Sequence, residues 1–410
     1  MRNFLKMSEA QKIQHPTLLQ LCKTSLYIGA ISYGGPAILA QVRRVIVKQK
    51  SWLTEKDFLD GLSLAQMLPG ATGLNVMGYV GYRIHKIWGG ILAPLFFVIP
   101  AVVSMLLLSW IYFRYGNLSI IQSIMAGLGA LVVALLFNAT LQLTKTVFKK
   151  INSKTLKGLL IAALTFTGAF FFKLNVIWLV LLAGLLGIGF YYFTAEFEDE
   201  YLDAQSNKKH PHHHWDKLFP IDYLPAVLAL AFIGIILWLP SLREIFTTFF
   251  SIGTFSFGGG FIAIPLIQHQ IVDQLHWLTL PEFRDGIALG QVTPGPVFIT
   301  ATFIGYKVLS ITGALVATLA VFTPSLTAMM ILSGIHAKVK ELKIAQVIIK
   351  GFLAGFIGLL ASVTLQFAFS SLISWQTWLL FLASLCCLLY LKLDVLWVIL
   401  GAAIVSVFLM

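Results

Sequence analysis

Long apolar runs recur along this chain, separated by short polar or basic interruptions. Residues 91–111, 125–141, 159–172, 224–239, 313–332 and 393–409 approach or reach the roughly 20 apolar positions that one membrane-spanning helix requires. The pattern predicts an all-α integral membrane protein. Residues 196–217 break it most strongly, acidic first and then running Lys208-Lys209-His210-Pro211-His212-His213-His214. The opening residues 1–15 are polar, mixed in charge and without a small-residue cleavage site, so they read as a cytoplasmic N-terminus and not as a removable signal.

The pattern also repeats. Ile28-Gly29-Ala30-Ile31-Ser32-Tyr33-Gly34-Gly35 returns as Ile252-Gly253-Thr254-Phe255-Ser256-Phe257-Gly258-Gly259. Trp52-Leu53-Thr54 returns as Trp277-Leu278-Thr279, and Gln66 with Pro69-Gly70 as Gln291 with Pro294-Gly295. Gly81-Tyr82-Arg83 answers to Gly305-Tyr306-Lys307, Pro100 to Pro324, and Lys173-Leu174-Asn175-Val176 to Lys392-Leu393-Asp394-Val395. Chance pairing of apolar residues would not keep Gly, Pro, Trp and Gln in one order at a nearly constant offset. The expected organisation is a cytoplasmic N-terminus at 1–16 and a first repeat at 17–195. A polar, His-rich linker at 196–220 and a connecting transmembrane helix at 221–240 lead to a second repeat at 241–410.

The unpaired span at 224–239 would reverse the second repeat relative to the first if each repeat crosses the membrane an even number of times. Charge agrees. Residues 17–86 hold Lys23, Arg43, Arg44, Lys48, Lys50, Lys56, Arg83 and Lys86, whereas 241–310 hold only Arg243, Arg284 and Lys307. Lys and Arg mark cytoplasmic loops, so the two stretches are expected on opposite faces. Later clusters, Lys145 to Lys157 and Lys338 to Lys350, are both cytoplasmic only in that inverted arrangement. Inverted repeats with a site at their interface are a recurring transporter architecture.

Composition removes most other classes. The 410 residues are 58% hydrophobic and 11% charged, against about 25% charged in soluble domains. The net charge of +12 sits in loops at the ends of apolar segments, with no soluble basic domain, so no nucleic-acid partner is expected. The three cysteines, Cys22, Cys386 and Cys387, form neither a disulfide framework nor a metal motif. No nucleophile elbow, phosphate loop or zinc-protease helix appears, so neither enzyme chemistry nor a cofactor is expected. The histidines of the linker lack fixed ligand spacing. The expected partners are a small anion and the bilayer, and the sequence leaves a homodimer open.

Candidate chemistry lies where helices break. The breaks are Tyr33-Gly34-Gly35-Pro36 and Leu68-Pro69-Gly70 in the first repeat, then Phe257-Gly258-Gly259-Gly260 and Thr293-Pro294-Gly295-Pro296 in the second. Gly and Pro interrupt helices, and in lipid the freed backbone groups survive only when buried in protein or facing a wet cavity. Basic residues on both sides of the first Pro-Gly favour re-entrant hairpins over ordinary spans. A helix restarting after such a break presents unpaired N–H groups and the positive end of its dipole, which suits an anion. The polar residues nearby are neutral: Ser32, Gln66, Thr72 and Asn75, then Ser256, Gln291, Thr293 and Thr300. With Gly34, Gly35, Pro69, Gly70, Gly258, Gly259, Pro294 and Gly295, all of these but Thr293 form the candidate substrate site. The same residues would also serve merely to repair broken backbone.

Ionisable residues in equivalent positions form a second group. Asp60 and Asp285 precede the two Pro-Gly breaks and could relay protons or pair with an Arg, or simply favour helix starts. Arg83 and Lys307 could attract an anion or snorkel to the headgroups.

The doubled Ser-aromatic-Gly-Gly and Gln-x-x-Pro-Gly signatures resemble the chromate transporter family in its long form with two homologous domains, over essentially the whole chain. That resemblance implies a plasma-membrane carrier exporting chromate and conferring resistance to it, with sulfate, another tetrahedral dianion, as a competitor. Two departures stand out. Pro69-Gly70 is followed by Ala71 where the family usually has Pro, and Gln268-His269 stands where an acidic residue is common. The latter leaves His269 as a substitute titrating group.

Overall fold

The computed structural model describes residues 15–33, 35–148, 153–192, 234, 238–333 and 343–410. The polar linker, its histidines, most of the expected connecting helix and Gly34 lie outside them. Every regular element among the described residues is a helix. In the first half these are α1 (Leu18–Ile31), α2 (Gly35–Val42, continued by a π-turn at Arg43–Gln49), α3 (Glu55–Met67), α4 (Thr72–Tyr115), α5 (Ser119–Val147), α6 (Ser153–Phe170) and α7 (Val176–Tyr191). The second half has the same series: α8 (Pro240–Phe255), α9 (Ala263–Gln268, continued by a π-turn at His269–Gln274), α10 (Leu280–Val292), α11 (Thr300–Ser333), α12 (Lys343–Ser371), α13 (Trp375–Leu389) and α14 (Val395–Leu409). The segments 72–115, 119–147, 297–333 and 346–371 are long and apolar enough to cross a membrane.

Matching sequence signals produce matching local structure. Thr54 and Asp57 form a capping box at the start of α3, as Thr279 and Glu282 do at α10, each satisfying backbone donors that a helix start leaves open. Asn175 caps α7 by accepting from Ile177 N, and Asp394 caps α14 by accepting from Leu396 N. Even the non-glycine residues with positive φ come in repeat-related pairs: Ser51 and His276, Lys86 and Ser310, Lys173 and Lys392.

One such pair reshapes the fold. α4 is interrupted at His85 (φ −128°, ψ 29°) and Lys86 (φ 50°, ψ −137°), and α11 at Leu309 and Ser310 with nearly the same angles. The arms on either side fold back on one another. A Cβ added to Gly81 would lie 2.0 Å from the carbonyl oxygen of Gly89, and one on Gly89 equally close to that of Gly81. In a continuous helix those residues stand about 12 Å apart. Gly305 and Gly313 repeat the approach, at 2.3 and 2.2 Å.

The first arm of α4 also folds back on α3. A Cβ on Gly61 would meet the Tyr79 ring at 2.3 Å, and one on Gly286 in α10 the Phe303 ring at 2.5 Å. Each half therefore holds a helical hairpin with its Pro-Gly turn at the tip. An ion pair closes each open end: Arg83 with Asp57 at 3.0 Å, Lys307 with Glu282 at 2.8 Å. These pairs are partly exposed, and such pairs contribute about 1 kcal/mol or less. Arg83→Gln is accordingly expected to lower the thermal unfolding midpoint of the purified protein by only a few degrees. A collapse of folded protein in that variant would show that the ion pair, not the packing of Gly61 on Tyr79, holds the hairpin.

The halves are interlocked. α4 packs on α11 at the centre, α5 lies against α13 and α14, and α12 lies against α6 and α7. Residues Gly127 through Leu136 of α5 are buried without interruption.

Candidate substrate site at the helix breaks

Each hairpin tip meets the aromatic-Gly break of the opposite half. Gly70 N–H donates to the carbonyl of Ser256 at 2.7 Å, and Gly295 N–H donates to the carbonyl of Ser32 at 2.8 Å. Short bridges accompany them, Pro69 with Phe257 and Tyr33 with Gly295. The exchange is reciprocal: the tip of each half donates to the serine before the aromatic-Gly break of the other. Both tip glycines hold positive φ, +88° and +112°, which side-chain-bearing residues rarely adopt. They are also crowded: a Cβ at Gly70 would lie 2.8 Å from the Ser325 side chain, and one at Gly295 3.0 Å from Ala101 Cβ.

The structure thus brings together Ser32, Pro69, Gly70, Ser256, Pro294 and Gly295. It also differs from one expectation, because the tip N–H groups of Gly70 and Gly295 already bond across the halves and are not free donors. Donors that remain are close by. The N–H groups of Gly259 and Gly260 have no acceptor among the described residues, whereas the bridge of Pro69 with Phe257 engages that of Gly258. Gly258 and Gly259 have φ of +103° and +116°, and a Cβ on Gly259 would meet nothing within 4 Å. At the first-half restart, Ala71 gives α4 no side-chain cap, and Pro296 likewise gives none at the second-half turn Val297–Ile299 that leads into α11. Such helix starts attract anions.

Buried polar atoms without partners mark the same region. Ser32 Oγ, Asn75 Oδ1 and Gln291 Nε2 have none, although Asn75 Nδ2 donates to Pro69 O at 3.0 Å. Buried polar groups are nearly always bonded, so these three are poised for a bound molecule or water. Thr293, Thr300 and Ser256 instead turn their hydroxyls to carbonyls of their own helices. Thr72 begins α4 beside Gly73, whose Cβ would meet Ile38 of α2. Gln66, unlike its equivalent Gln291, is exposed and lines a depression of about 340 Å³ with Gln346 and Lys350. Gln41 on α2 also carries an unpartnered buried oxygen; nothing in its sequence surroundings marks it.

The ionisable candidates lie elsewhere, at or near the hairpin bases. Asp60 makes no ion pair among the described residues. Asp285 is buried against Arg284, at 2.8 Å, and accepts from the Tyr112 hydroxyl at 3.0 Å. His269 opens the second π-turn; its Nδ1 is 3.6 Å from Asp273 and its Nε2 is buried without a partner. Among the described residues no cluster of His, Cys, Asp and Glu could hold a metal.

Two stretches covering most of the chain, residues 19–188 and 243–407, match the family model described as chromate transporter. The chain belongs to the chromate transporter family. It is 34% identical over 400 residues to an uncharacterised transporter of Methanocaldococcus jannaschii, covering 96% of this chain and 95% of that one. It is 32% identical over 396 residues to a chromate transport protein of Cupriavidus metallidurans, covering 95% and 92%. A probable chromate transport protein of Synechococcus elongatus is 30% identical over 330 residues, 78% of this chain and 77% of that one. No solved structure matches. Members of the chromate transporter family are membrane transporters and not enzymes, in keeping with the apolar helices described above.

Proposed function

We propose that this protein carries chromate, or a related tetrahedral oxyanion such as sulfate, out of the cell across the plasma membrane. The proposed mechanism is alternating access between two inverted halves, with the N-terminus cytoplasmic. The observation that carries this reading is the reciprocal pairing of the hairpin tips, Gly70 to Ser256 and Gly295 to Ser32. A site built from both halves at once changes its access when one half rocks on the other. Beside it stand the unaccepted N–H groups of Gly259 and Gly260 and the unpartnered donors Ser32 Oγ and Gln291 Nε2. These are neutral donors suited to an anion whose oxygens only accept. The hairpins would be re-entrant, and the basic stretch from Arg43 to Lys56 would concentrate anions at the cytoplasmic face.

Radiolabelled chromate uptake into inverted membrane vesicles tests the proposal. Saturable uptake above that of vesicles lacking the protein is expected, and competition by excess sulfate would define selectivity. Uptake equal to the protein-free background would remove chromate as the substrate, and uptake that never saturates would replace the carrier by a channel.

A further inference from the structure

A cavity of about 660 Å³ opens between the end of α4, the start of α10 and the turn from α12 to α13. Arg284 and Asp285 line it, with side chains only 11% and 8% exposed. Arg284 Nε and Nη2 both donate to Asp285 Oδ1, at 3.0 and 2.8 Å, and Nη1 donates to Ser371 Oγ at 3.1 Å. A guanidinium carries five N–H groups, so two have no acceptor among the described residues. Asp285 keeps a second donor of its own, the Tyr112 hydroxyl from the other half.

This is where the two halves part company. The first-half equivalent of Arg284 is Leu59, which is exposed. The guanidinium also has a slot made for it. A Cβ on Gly129 of α5 would lie 2.8 Å from Arg284 Nε and 2.9 Å from Cζ. The repeat equivalent of Gly129 is Leu353. An Arg seated on Gly in one half therefore corresponds to leucines at the two repeat-related positions, one of them exposed. Stability alone does not account for that difference, since well-packed apolar residues commonly replace a buried ion pair without loss.

The surroundings suit an anion. Lys307 Nζ lies 5.0 Å over the Phe113 ring and reaches Glu282, while Asn117 and Gln122 add neutral amides to the lining; the hydroxyls of Ser370 and Thr377 donate to the carbonyls of Phe367 and Ser374. Four charges, Arg284, Lys307, Glu282 and Asp285, balance there, so an incoming anion must displace a carboxylate.

We propose that this cavity is a second oxyanion site, in which Arg284 is the ligand and Asp285 is the competing carboxylate it exchanges for the anion. The planar fork of arginine matches two oxygens of a tetrahedral oxyanion as well as it matches a carboxylate. Asp285 retains the Tyr112 hydroxyl while the guanidinium is engaged elsewhere. The proposal rests on the reading that the chain carries an oxyanion. In the inverted arrangement the cavity lies on the face opposite the basic stretch, where cargo would leave.

Equilibrium dialysis of the purified full-length protein with radiolabelled chromate separates the possibilities. Asp285→Asn removes the competitor and should tighten one class of site by about tenfold. Arg284→Gln should abolish that class and leave the other. Because Arg284→Gln alone strands a buried carboxylate, the doubly neutral R284Q/D285N is the second arm, and it should lose the same class while keeping a native unfolding midpoint. Opposite signs for the two single variants are not what a purely structural pair gives. Binding unchanged in Arg284→Gln, or not tightened in Asp285→Asn, overturns the proposal while vesicle transport persists. Absence of both binding and transport in the native protein would overturn the oxyanion reading itself.

Discussion

Chromate uptake into inverted vesicles is expected to fall to the protein-free background when Gly295 is replaced by leucine. Three separate demands meet at this residue. Its φ of +112° excludes side-chain-bearing residues at a cost of about 1–3 kcal/mol. Its N–H holds Ser32 O at 2.8 Å, across the halves. Its Cβ would start 3.0 Å from Ala101 Cβ, a contact that the arm of α4 carrying Ala101 must give way to relieve. Gly259→Ala is the matched comparison. It imposes similar backbone strain at φ +116° but meets open space, so a partial loss is expected. The comparison is made at equal amounts of protein in the membrane. Saturable uptake by Gly295→Leu at the native rate would detach transport from the hairpin tip.

The second large effect is expected at the crossing of α1 with the long arm of α4. A Cβ on Gly29 would lie 2.0 Å from the Phe97 carbonyl oxygen and 2.9 Å from its carbon; Gly253 stands 2.2 Å from the Val321 oxygen in the equivalent crossing of α8 with α11. Small residues let helices in a membrane approach this closely, and here the obstacle is backbone, which cannot rotate aside. Gly29→Val should destabilise the protein by more than about 4 kcal/mol and leave little folded material in the membrane. Yield and thermal unfolding of the purified protein report it. An unfolding midpoint within a few degrees of native would mean that the helices separate at small cost.

Much of this was legible in advance because Gly, Pro, Trp and capping residues carry local instructions. The break at Gly258 and the hairpin tips at Pro69 and Pro294 follow from such residues. The reversal at His85 and Lys86 was not legible. Neither residue signals a turn, and its cause is tertiary, in the contact of Gly81 with Gly89. The state of the tip glycines was hidden for a similar reason. A Pro-Gly break announces free donors, but not that Ser32 and Ser256 of the opposite half would accept from them. Arg284 was overlooked through the repeat itself. Matching the halves draws attention to what they share, such as Asp60 with Asp285, whereas Arg284 against Leu59 is a difference. The signal that would have found it is a charged residue breaking the repeat inside an otherwise apolar segment.

The interlocking of α5 and α12 has a bearing on how the protein is made. α5, whose residues Gly127 to Leu136 are buried without interruption, packs on α10, α12, α13 and α14, all of which are made after it. α12 is the more fortunate, since α6 and α7 are already in place when it emerges. Synthesis therefore passes through an interval in which α5 exists before any of its second-half partners. Native pairing at that surface waits for the second half, and is finished only when α13 and α14 have joined α10 and α12.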